Sequence, residues 1–296
     1  MNHKAALALI PDDVSSALTE RENRAGLIHL AGHFALICVM GALVAARIPF
    51  WGFILPLHGI ALVFLFTLEH ETTHQTPFAH TGLNDWIGRL CGVVILLPFE
   101  WFRYFHLAHH RHTNDPDHDP ELTSGAKPDT WKAYLIYVSG FGYWSSMTRQ
   151  LWLNATGQAN APYLPARTIP RIKREARIMI ALYAFALLSL LITPVLLWVW
   201  VVPVLLGQPA LRLYLLAEHG RCAFVANMLE NTRTTYTNRF MRFIAWNMPY
   251  HAEHHAAPQV PFHKLPQLNT YLKDKLQVTS NSYTEFIHET MSQLPR

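Results

Sequence analysis

Long uncharged stretches alternate with polar ones along this chain, at lengths that suit a bilayer better than a soluble core. Residues 27–46 are twenty positions without a formal charge, bracketed by Arg24 and Arg47, and 48–68 form a second such run containing Pro49 and Pro56. Each is long enough to cross a hydrocarbon layer, which takes about 20 apolar residues as helix. A third run, from Ile178 to Leu211, is uncharged for 34 residues and continues past Arg212 to Ala217. That is too long for one ordinary span, so it predicts two helices, 178–195 and 197–217, hinged near Thr193 and Pro194. The stretch from Leu90 to Phe99 has the length of an interfacial or re-entrant segment rather than a span. Residues 131–152 mix Trp and Tyr with Lys and Arg, as membrane-surface segments do. Near the C-terminus Leu265, Leu268, Leu272 and Leu276 form an apolar stripe with Lys273 and Lys275 off it, predicting a helix packed over the core or on the membrane.

The pattern predicts an all-α integral membrane protein: one domain, residues 1–296, with four transmembrane helices and a helical cap assembled from 69–177 and 218–296. Composition agrees, since 51% of residues are hydrophobic and only 15% charged, an unusual balance for a soluble globule. The apolar run at the N-terminus, about six residues ending at Pro11, is shorter than the roughly 7–15 of a secretory h-region, so no cleaved leader is expected. The three cysteines, Cys38, Cys91 and Cys222, form no CxxC pair and indicate neither a disulfide framework nor a thiolate cluster.

Charge orients this scaffold. Three Lys/Arg precede the first expected span, eleven lie in 69–177 and eight follow the last span, so 22 of the 24 share one face. The positive-inside rule makes that face cytoplasmic, with both termini on it, as in a bacterial inner membrane. Arg47 alone falls in an outer loop, and Arg212 lies within the last span near its inner end, where it can snorkel. The net charge of +4 does not imply nucleic acid, because the basic residues are dispersed and match no binding motif.

Eighteen histidines then become informative. His70 and His74, in HETTH, stand four residues apart where the second span leaves the membrane. His106, His109 and His110, in HLAHH, and His251, His254 and His255, in HAEHH, repeat helical-face spacing at i, i+3 and i+4. All three groups, and His219 at the inner end of the fourth span, fall on the cytoplasmic side of the expected topology. Were Leu90–Phe99 a span, the second group would be stranded opposite the first. His3, His29, His33, His58, His80, His263 and His288 are isolated and read as surface or core residues. Imidazole suits iron, zinc, copper or nickel; eight or nine nitrogens could fill most of two octahedral sites, whereas a structural zinc needs only four ligands.

HETTH, HLAHH and HAEHH, with TRTTYTNRFMRFIAWNMPYHAEHH, resemble the three histidine boxes of the membrane fatty acid desaturase superfamily, over roughly residues 27–280. The resemblance implies a non-haem di-iron centre that activates molecular oxygen. Its ligands would be His70, His74, His106, His109, His110, His251, His254 and His255, with His219 matching a further histidine that the family commonly uses. The superfamily includes acyl desaturases, hydroxylases and carotenoid ketolases. A desaturase of lipid-like acyl chains is the leading expectation, and a hydroxylase or ketolase acting on an alkane, lipid or carotenoid the alternative.

Such chemistry needs a metal, because an unactivated methylene offers neither an acidic proton nor a carbonyl to side chains alone. Glu69, Glu71, Asp115, Asp117, Asp119 and Glu253 are candidates to orient the rings from outside. Asn247 lies one turn before His251, and His112 and His118 lie outside the box spacing. HETTH also satisfies the HExxH signature of zinc proteases, with Glu71 as general base, but that reading leaves the other two groups unexplained. Desaturation supplies two of the four electrons that reduce oxygen to water. The chain contains no HPGG segment, GxGxxG fingerprint or paired cysteines to carry the others. A separate ferredoxin, rubredoxin or cytochrome with its reductase is the expected partner.

Overall fold

A computed structural model describes residues 1–125 and 127–295; Ala126, inside the expected cap, and Arg296, the last residue of the expected domain, lie outside the described residues. Helices dominate, and the described strands are one parallel pair, Thr234–Thr235 against Thr279–Ser280.

Three helices are long and apolar enough to cross a membrane: Asn23–Ala45, Trp51–Thr73 and Leu197–His219. The first two turn back on each other through Pro49 and Phe50, which takes a left-handed φ of 64°. The helix Trp51–Thr73 runs past the expected end at 68, so HETTH forms its last turn. A fourth candidate exists only as a bent pair, Thr81–Ile95 and Phe99–His112, which meet at 100°. The bend falls at Leu96, whose φ is 61°, and at Pro98, which opens the second arm. The Leu90–Phe99 segment is thus an elbow between two helices.

The expected span 178–195 needs correction. Its residues begin inside the helix Ile169–Ser189, whose first half carries Arg171, Lys173, Arg174, Glu175 and Arg177, and the chain leaves the helix at Leu190. The break at 190–194 matches the expected hinge, but the apolar part of this helix is too short to qualify by length and composition. The uncharged run extends past the end of the helix at Ser189. Even so, Phe50, Phe53, Phe185, Leu191 and Ile192 are each more than 70% exposed, apolar surface of a kind that lipid covers.

Backbone contact sets the packing of the two helices that carry site residues at their ends. A Cβ on Gly59 would stand 2.0 Å from the Pro203 carbonyl oxygen, and one on Gly207 2.3 Å from the Gly59 backbone. Only glycine permits this approach, the small-residue packing of membrane helices. The elbow is held by charge: Glu100 pairs with Arg89 and with Arg171 (2.7 Å), and its backbone N–H donates to Glu175 at 2.8 Å.

Beyond His219 the chain folds over the end of the bundle. The helix Leu265–Leu272 buries Leu265, Leu268 and Leu272 as the stripe predicts, and Leu276 still packs on the core after a turn over Lys273–Lys275. The N-terminal residues meet this same end: the His3 backbone N–H donates to Asn227 Oδ1 at 2.9 Å, and Lys264 Nζ donates to the Glu20 carbonyl at 2.8 Å.

Candidate metal centre

Adjacent residues on an α-helix point about 100° apart. That turns each HxxHH group into a divider between two sites. From Phe99–His112, His106 and His110 face one set of imidazoles, completed by His70, His74 and His254. His109 faces the other way, towards His219 and His255. His251 joins this second set, its Nε2 lying 3.1 Å from that of His219. The nine histidines singled out in the sequence therefore lie in two adjoining groups, five and four strong, and the stacked rings of His110 and His255, 4.0 Å apart, mark the boundary.

Ring nitrogens converge at distances that suit a metal. The Nε2 atoms of His74 and His106 are 2.8 Å apart, and those of His109 and His219 3.2 Å. A metal–nitrogen bond of about 2.1 Å places neighbouring ligand nitrogens roughly 3 Å apart. Both ring nitrogens of His70, His110 and His254 are buried without a hydrogen-bond partner among the described residues. Each such orphan costs about 1–3 kcal/mol. Six of them would consume the whole net stability of an ordinary domain, about 5–15 kcal/mol, unless a ligand engages them. Burial, and then the neighbouring imidazoles, hold the pKa of His251, His254 and His255 well below the ordinary value, so they are neutral donors.

Outward-facing nitrogens are fixed by the surroundings. Asp119 lies 2.9 and 3.0 Å from His109 Nδ1, and also accepts from the backbone N–H groups of Asn114 (2.8 Å) and Glu121 (2.9 Å). Burial pushes the Asp119 carboxyl up, but these bonds outweigh it and hold the group below the usual range. His219 Nδ1 donates to the Asn231 carbonyl at 3.3 Å, His255 Nδ1 meets the Thr113 hydroxyl at 3.1 Å, and Glu218 stands 3.4 Å from His251 Nδ1. With Nδ1 so occupied, Nε2 is the inward donor.

Of the carboxylates considered from sequence, Asp119 orients a ring and Glu71 stands 3.6 Å from His254 Nδ1 while accepting from Thr76 (2.7 Å) and the Phe262 N–H (2.9 Å). A zinc-protease base would need to face a metal-bound water instead. Glu253 is held by Thr234 and Asn269, and Glu69 is buried without a hydrogen bond. Asn247 donates to the Phe262 carbonyl at 3.1 Å and is structural. His112 and His118 stack on each other, and with Asp115 form a separate group nearer the surface. His29, His33 and His58 each bond a backbone carbonyl. Glu218, Asn231 and Thr113 were missed; Glu218 alone left a signal, a carboxylate at the end of an apolar helix. Beside His219 and Glu218 opens a cavity of about 300 Å³, walled by Phe66, Trp101, Phe102 and Phe105.

The sequence model of the fatty acid desaturase family matches residues 45–286. The chain is 27% identical to the dihydrorhizobitoxine desaturase of Bradyrhizobium elkanii over 263 residues, 81% of this chain and 73% of that one. It is 21% identical to an sn-1 oleoyl-lipid 12-desaturase of Arthrospira platensis over 234 residues, 70% of this chain and 64% of the relative. A shorter match, 38% over 55 residues, covers 19% of this chain and 15% of an sn-1 acyl-lipid omega-3 desaturase (ferredoxin) of Nostoc. The chain thus spans less than two thirds of the length of the latter two relatives.

Proposed function

Because the chain belongs to the fatty acid desaturase family, we propose that it is an oxygen-dependent desaturase of lipid-like acyl chains. Its centre would hold two irons, bound by His70, His74, His106, His110 and His254 on one side and by His109, His219, His251 and His255 on the other. The observation that carries this reading is the convergence of nine imidazoles, seven of them buried, among which both ring nitrogens of His70, His110 and His254 lack a partner among the described residues. With the metals bound, the pair supplies the oxidant that an unactivated C–H bond requires.

The protein's own share is to hold the donor nitrogens in place. Asp119 accepts from His109 Nδ1–H and the Asn231 carbonyl from His219 Nδ1–H, so each Nε2 keeps its lone pair for the metal. The aromatic wall of the adjoining cavity gives an alkyl chain a place to lie against His219. The histidine-bearing end of the bundle, with 69–177 and 218–296, faces the cytoplasm of a bacterial inner membrane, a reading supported by the 19 of 24 basic residues that these two segments carry. The two electrons that the substrate does not supply come from a separate ferredoxin, rubredoxin or cytochrome; one relative is named for ferredoxin.

Metal analysis of purified protein, paired with mass spectrometry of lipids from cells with and without the gene, tests the proposal. About two irons per chain and products lighter by two hydrogens are expected. Zinc at one per chain would defeat the metal assignment, and products gaining oxygen would replace desaturation with hydroxylation or ketone formation.

A further inference from the structure

Arg212 carries the single formal charge within 197–217. Seven residues, close to two turns, separate it from His219, so the two project to the same side of the helix about 10 Å apart along its axis. Its side chain lines the cavity that also meets Glu218 and His219. The guanidinium lies 4.6 Å over the ring of Tyr143 and 6.0 Å from that of Tyr137. The Tyr143 hydroxyl donates to the Ile95 carbonyl at 2.7 Å, which fixes this platform.

Among the described residues Arg212 makes no hydrogen bond and no ion pair, and its Nε is buried without a partner. A cation–π contact returns only part of what removing a cation from water costs. The cavity's other groups do not make up the difference. Lys127 is engaged with the His219 carbonyl at 2.7 Å and Asn114 Oδ1 at 3.0 Å, Glu121 stands 3.9 Å from His109 Nδ1, and Glu218 is turned to His251. Two carboxylates thus line the cavity, yet among the described residues neither pairs with the Arg212 guanidinium.

We propose that Arg212 receives a free carboxylate of the substrate, so that this protein acts on a carboxylic acid and not on an acyl group esterified in a lipid. The planar guanidinium matches a carboxylate in two parallel bonds, and an ester cannot reproduce that charge. A cavity of about 300 Å³ is at the small end of ligand sites and suits a compact amphiphile. The inference narrows the substrate of the proposed desaturase and rests on that reading for its reaction, but not for its binding.

Equilibrium binding separates the two. Decanoic acid and methyl decanoate are titrated into protein in phosphatidylcholine nanodiscs, with empty discs subtracted, and iron content is measured on the same samples. Wild-type protein should bind the acid at least about tenfold more tightly than the ester. Arg212→Gln should erase that ratio with iron unchanged, and Arg212→Lys should keep part of it. Equal affinities in the wild type, binding of neither probe, or a ratio that survives Arg212→Gln would overturn the proposal. The wild-type ratio needs no variant, so a misfolded Arg212→Gln leaves the test intact. Acid preference in a protein that holds no iron would instead sink the metal assignment and leave Arg212 standing.

Discussion

At His109 one ring serves two neighbours: Nε2 points at His219, and Nδ1 at Asp119. The carboxylate fixes the tautomer and adds negative charge behind the donor. Removing an orienting partner of this kind typically costs 10–100-fold in metal affinity. Asp119→Asn should therefore lose iron to a competing chelator about 10–100-fold more readily than wild type, while Asp117→Asn, at an exposed position, should match wild type. Equal retention by both variants would reduce Asp119 to the N-cap of the short helix Pro120–Thr123. The histidines were legible because helical spacing is local and survives into any fold. The partners of their outer nitrogens were not: Thr113 reaches His255 across 142 residues, and the Asn231 carbonyl is a backbone group without a sequence signature. Arg212 was visible as a charge in an apolar run, but its place over the Tyr143 ring was not.

At the scale of elements, the site depends on two helix ends staying in register. Trp51–Thr73 ends in the HETTH turn and Leu197–His219 ends in His219, and the Gly59–Gly207 contact sets their separation. Gly59→Leu should force the backbones apart, costing about 1–3 kcal/mol as overpacking does, and should lower both the unfolding temperature in detergent and the iron retained. Gly52→Leu, on the same helix with nothing within 4 Å, is the matched control. A Gly59→Leu protein as stable and as iron-rich as this control would show that the helices adjust. Hydropathy located this pair within a few residues, since both are continuous apolar helices. It misjudged 178–195 because absence of charge does not report where a regular helix ends, and here it ends at Ser189 with five charged residues already spent on its first half. The elbow at Leu96 was equally invisible, because a 100° bend needs one left-handed residue and not a change of polarity.

For the molecule as a whole, the contacts of His3 with Asn227 and of Lys264 with Glu20 bring the N-terminal and C-terminal segments to the end that holds the histidines. A reporter inserted near Ser124 and one fused at the C-terminus should therefore both give cytoplasmic signals, and one placed in the turn at 47–50 the opposite. Signals from different sides at the first two points would mean an odd number of crossings between them. Drawing the centre from distant parts of the chain also has a consequence in time. His70 and His255 are 185 residues apart, so at roughly 5–20 residues per second of synthesis the first group waits on the order of ten seconds or longer for the last. During that interval the nascent chain can present His70, His74, His106 and His110 without His254, and an incomplete imidazole set favours copper or zinc over iron. The proposed centre is thus most exposed to the wrong metal while the ribosome is still working.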